Sequence, residues 1–243
     1  SRNIYQITGC YPHMVINHLH RKKLDPNREE DIATCGNPVS RIAYEEYHGF
    51  LNQARNMVSD QFTKGLLIDI HGHAHTIQRL ELGYLLGGST LRQDNDRLNH
   101  PDVVQLSSIR NLAFNNPNSL SHAELIRGTF SLGTYFEAEG HASVPAYHTP
   151  FPLANEPYFS GGYITLVHGS SDAGTIDAIQ IECHQTVRFT QEARNSFAAS
   201  FARVLLDYLA KHYFPEYPRE LCRVLTNESP LQDRSQMIHP VPA

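Results

Sequence analysis

Two runs of the chain limit its fold more than any others: GLLIDIH (65–71) and IDAIQIECH (176–184). The first is almost continuously apolar, and both end in residues that carry chemistry. Continuous apolar runs of this length suit strands covered on both faces. Between and around them lie helical patterns. Ser40 to Phe62 has a serine cap, early acidic residues and an apolar period near 3.6, and Thr190 to Phe214 has a threonine cap and a proline stop at 215. HPDVVQLSSIRNLAFNN and SHAELIRGT read as shorter helices, while PHMVINH (12–18) and YITLVHGS read as further strands. FPLANEPYFSGG is rich in turn formers. Strands alternating with helices predict an α/β domain with a largely internal sheet. Short linkers and uniform composition predict a single domain over 1–243.

The totals exclude some functions. A formal charge of -5 and a pI near 6.3 argue against a nucleic-acid surface. No apolar run is long enough to span a bilayer, which argues against membrane insertion. Cys10, Cys35, Cys183 and Cys222 form no C-x-x-C pair. They read either as free thiols or as one or two disulfides of an exported protein. The sequon Asn227-Glu228-Ser229 tips the balance slightly towards export. Fifteen histidines against twenty Lys and Arg point to a metal or acid–base site.

In an open α/β sheet, sites gather at the carboxyl ends of strands. His71 stands there, after the run Leu66 to Ile70, and begins a comb with His73 and His75. A turn at Gly72 would make the three rings diverge; a histidine cluster on a surface turn is the plain alternative to a metal site. Asp69, two residues earlier, is placed to orient His71. Glu182 ends the second run, with His184 beside it. Partial burial there raises a carboxylate pKa into the range of a general base, whereas a solvated strand-end glutamate would stay ordinary. LDPNRE carries Asn27 and Arg28, and Arg21 precedes it. A planar guanidinium matches a carboxylate, although a charged loop held by local ion pairs would read the same. Two glycines precede Tyr163, as a tight turn or a close ligand approach requires.

Taken in order, VINHLHRKKLDPNRE, GLLIDIHGHAH, LELGYLL, YFSGGYIT and IQIE resemble the N-formylglutamate amidohydrolase family, from about Val15 to Glu182. That family is similar to zinc carboxypeptidases and aspartoacylases. The resemblance implies a three-layer α/β/α sandwich around a mixed, mainly parallel sheet. It implies a zinc-dependent hydrolase of the amide bond of N-acyl amino acids or short peptides, with a small carboxylate-bearing substrate. His71 is then a zinc ligand, Glu182 the carboxylate that activates water, Asn27 and Arg28 the grip on the substrate carboxylate, Arg21 a helper, and Tyr163 a neighbour of the substrate.

The chain departs from that pattern at one place. Two more zinc ligands are expected from an H-x-x-E-like or H-x-x-D-like segment ahead of DPNR. His13 and His18 lie near, but neither has an acidic residue three positions on. Three outcomes remain open: a separate or cleaved upstream segment, a non-catalytic binding protein on the same fold, or a rearranged site using His73 and His75. Loss of early strands would bare a sheet edge, to be covered by a homo-oligomer or an N-terminal peptide.

Overall fold

The computed structural model describes residues 1–216. Cys222 and the sequon at Asn227 lie outside the described residues. The elements run α1 (Arg2–Thr8), α2 (Glu30–Thr34), α3 (Pro38–Phe62), β1 (Gly65–His73) and β2 (Leu80–Gly83). Six short helices follow: α4 (Gly88–Leu91), α5 (Asn95–Leu98), α6 (Pro101–Leu106), α7 (Arg110–Asn115), α8 (His122–Arg127) and α9 (Leu132–Ala138). The rest are β3 (Ser143–Val144), α10 (Tyr163–His168), β4 (Ile176–His184) and α11 (Gln191–His212). The chain is therefore mixed α/β, as expected. None of the described helices is long and apolar enough to cross a membrane.

The four strands form one sheet in the order β1-β4-β2-β3. β1 runs parallel to β4, β2 parallel to β3, and β2 antiparallel to β4. β1 occupies an edge of this sheet.

Local chemistry explains most of the boundaries. α3 begins two residues ahead of the expected Ser40 because Asn37 accepts from the amides of Val39 and Ser40, with Pro38 in the first turn. It stops where Thr63 adopts a left-handed φ of 56°. Thr190 caps α11 by accepting from the amide of Ala193. The stretch expected to be one helix after His100 is two, α6 and α7, with a break at Ser107–Ile109.

Two expected strands are not strands. Tyr163–His168 is the helix α10, and Thr165 closes its first turn by donating to the carbonyl of Gly162 and accepting the Gly162 amide, both at 2.8 Å. A short, partly apolar and β-branched segment fits either element by pattern, and this reciprocal cap selects the helix. Residues 12–18 are irregular, with Met14 and Ile16 exposed. Asn17 turns the chain there by bonding the amide of Leu19 and the carbonyl of Leu24.

The sheet has two unlike faces. Residues paired across neighbouring strands project to the same side. Leu66 and Ile68 of β1, Ile179 and Ile181 of β4, and Leu80 and Leu82 of β2 therefore share one face, packed with Val204 and Tyr208 of α11 and Phe136 of α9. The opposite face carries Asp69, His71 and His73 of β1, Gln180, Glu182 and His184 of β4, and Glu81 of β2. α3 and α10 lie on that side: a side chain on Gly65 would strike Val58 of α3, and the first turn of α10 bonds Asn27 over the polar row.

Candidate active site

Three neighbouring strands bring one row of ionisable groups together. Glu182 of β4 pairs in register with His71 of β1 on one side and Glu81 of β2 on the other. His71 and Glu182, 111 positions apart in sequence, thus become immediate neighbours. Glu182 is 6% exposed. Burial raises its pKa above the ordinary carboxylate value; the Glu81 charge adds to the rise and the His71 charge opposes it. Gln180 fixes the carboxylate by donating from Nε2 to Glu182 Oε1 at 2.9 Å.

β1 runs on through Gly72 to His73, so the expected turn at Gly72 is absent, and His71 and His73 share a face. His75 lies beyond the strand end. His71 Nε2 is 2.8 Å from Asp69 Oδ2, which makes Asp69 the acceptor of its ring proton. Burial works to lower the pKa of His71, but the hydrogen bond and charge of Asp69 outweigh it, and the net shift is upward.

Asn27 also reaches this row. Its Oδ1 accepts the Ile164 amide at 2.8 Å, and its Nδ2 lies 3.3 Å from His71 Nε2 and 3.4 Å from Gln180 Oε1. Since His71 gives its Nε2 proton to Asp69, Gln180 is the acceptor available to the Asn27 amide. A hydrogen-bonded line thus runs from α10 through Asn27 and Gln180 to Glu182. Gly162 leaves room for it: a β-carbon there would lie 2.8 Å from Asn27 Cγ.

The other predicted residues stand further out. The Arg21 and Arg28 guanidinium groups are exposed, and both bind Asp25 Oδ2, at 2.7 and 3.1 Å. Arg21 is close enough for its charge to be felt at His71. Tyr163 packs on the small cluster of Leu24, Ala33 and Tyr44, with its ring 5.8 Å from that of His48. Tyr44 in turn donates to the Arg28 carbonyl, which anchors the loop carrying Asn27.

Sequence reasoning passed over Gln180 and Glu81 as site residues. Glu81 sits between two leucines in LELG, and that alternation is the signal for a half-polar strand. It is fully buried. Its Oε1 meets His75 Nδ1 and its Oε2 accepts the Phe159 amide, both at 2.8 Å. His73, His75 and Glu81 could hold a metal ion: one donor atom from each lies within 4.8 Å of the other two. His71 belongs to no such group of three among the described residues. Burial lowers the pKa of His73, and the neighbouring imidazoles of His75 and His184 act in the same direction.

No family model matches the chain, and neither does any curated protein or solved structure.

Proposed function

We propose that this chain is a metal-dependent hydrolase of the amide bond in N-acyl amino acids, of which N-formylglutamate is the type, on a carboxypeptidase-like α/β/α sandwich. The observation that carries the proposal is the position of Glu182. It is a desolvated carboxylate at a strand end, set in register between an imidazole and a second carboxylate and oriented by Gln180. A base of raised pKa with a fixed lone pair is what water activation requires. The motifs from Val15 to Glu182 supply the substrate class.

Zinc is the expected cofactor; when bound it lowers the pKa of water and polarises an amide carbonyl. Seated on His71 alone, as the resemblance has it, the ion does not fit the described residues, because a catalytic site needs three protein donors and His71 is in no group of three.

The chain's own groups support the following sequence. Glu182 accepts a proton from water, and the water oxygen forms a bond to the amide carbon. The carbon–nitrogen bond then breaks. Glu182 returns the proton to the departing nitrogen, which leaves an amine and a carboxylic acid. His71, kept protonated more readily by Asp69, presents positive charge beside Glu182 and steadies the charge that develops on the carbonyl oxygen. Arg21 and Arg28 attract the substrate carboxylate; each holds Asp25 through Nε, which leaves the terminal guanidinium nitrogens to bind it.

The lack of a three-donor metal group at His71 among the described residues favours a second reading, a non-catalytic carboxylate-binding protein. Incubation of the purified protein with zinc and N-formylglutamate, then with other N-acyl amino acids, separates the two. Release of free amino acid is expected, and amides lacking the carboxylate should react more slowly. No turnover of any N-acyl amino acid would overturn the hydrolase.

A further inference from the structure

We infer that His73, His75 and Glu81 seat a divalent ion of the zinc type, one strand step beyond His71. This deepens the hydrolase reading by moving the ion to other ligands, and it can be tested apart from that reading. Donors around a tetrahedral zinc ion stand about 3.3 Å apart. Those of this group lie within 4.8 Å of one another, so side-chain adjustments of roughly an ångström close the site.

Each ligand is already held from behind. The Nε2 proton of His73 is donated to the Arg79 carbonyl at 2.8 Å, which leaves Nδ1 as the ring nitrogen with a lone pair for an ion. A backbone carbonyl behind the ring is the usual support of a metal-bound histidine. His73 Nδ1 now accepts the His75 amide at 3.1 Å, a contact the ion would replace. The His75 ring stacks on Phe159 at 4.7 Å, and its carbonyl accepts from His184 Nε2 at 3.1 Å. His75 is therefore positioned although it lies outside the strand.

Glu81 supplies the electrostatic reason for an ion. It is a fully buried carboxylate, in register with the nearly buried carboxylate of Glu182. Two desolvated acids side by side call for positive charge. The only groups bonded to Glu81 among the described residues are the His75 ring and the Phe159 amide. An ion entering here would take the place of the proton between His75 Nδ1 and Glu81 Oε1, and the His75 ring would carry its proton on Nε2 instead. Two imidazoles and one carboxylate make a mixed nitrogen and oxygen set, which suits zinc over magnesium or calcium. Three protein donors leave a fourth position for water.

The test is zinc content and affinity in full-length protein, stripped with chelator, reloaded with zinc and dialysed, with cobalt absorption as a second readout. Wild type should hold one equivalent. E81Q and H75Q should each weaken binding about 100-fold or more, whereas H71Q should retain the equivalent. Circular dichroism before loading confirms that each variant is folded, and E81Q keeps an acceptor for the Phe159 amide. Loss of zinc in H71Q with retention in E81Q and H75Q would overturn the assignment, as would a wild type that binds none. Zinc held by this trio without turnover would count against the hydrolase and leave the site standing. Turnover in a protein whose zinc depends on His71 would do the reverse.

Discussion

Asp69 decides how His71 behaves. Burial by itself would favour the neutral ring, and the carboxylate 2.8 Å away reverses that preference. A histidine whose folded pKa is raised lends stability that is fully present below its ordinary value near 6.5 and is lost as pH rises through the folded value. D69N should therefore lower the His71 pKa, measured by NMR titration of the imidazole. A titration unchanged by D69N would show that the pair does not act as described. The Asp69–His71 contact was readable from sequence, because residues two apart on a strand share a face. The environment of Glu182 was readable too, since it ends an apolar run. The partners of Asn27 were not: they lie 137 and 153 positions away, and no local pattern records them. For Arg28, sequence composition reads the same for a substrate clamp and for a charged loop, and the structure pairs its guanidinium with Asp25 three positions away.

At the scale of elements, the sheet works because its two faces differ. The sequence shows β1 as an apolar run and β4 as a strand, and counting every second residue separates Leu66 and Ile68 from Asp69 and His71. Length and content were thus enough to find β1, β4, α3 and α11. They were insufficient for β2, which has four residues, for β3, which has two, and for α10, where a cap decides between helix and strand. The segment 157–162 crosses the polar face at β2, where Phe159 bonds Glu81 and Ser160 lies against Gly83. A β-carbon on Gly83 would lie 2.6 Å from the carbonyl carbon of Ser160, main chain that cannot rotate away. G83A should cost about 1–3 kcal/mol in chemical denaturation. Wild-type stability in G83A would mean that this segment does not press on the sheet.

The whole molecule places an apolar core on one side of a sheet and a polar row on the other, with the long helices α11 and α3 on opposite sides. The α/β class followed from the alternation of patterns along the chain. The mixed strand order did not, because it is set by pairings between distant segments. β1 stands at an edge of the sheet, and on its carboxyl end His71 keeps a quarter of its side chain exposed while His73 is buried. Glu182, by contrast, lies on the interior strand β4, flanked by β1 and β2. The most direct test compares wild type with E182Q at equal zinc content and equal folded fraction, reading kcat for N-formylglutamate or the best N-acyl amino acid found. With Glu182 as the base, kcat falls by about 100-fold or more; equal rates in the two proteins would contradict the account.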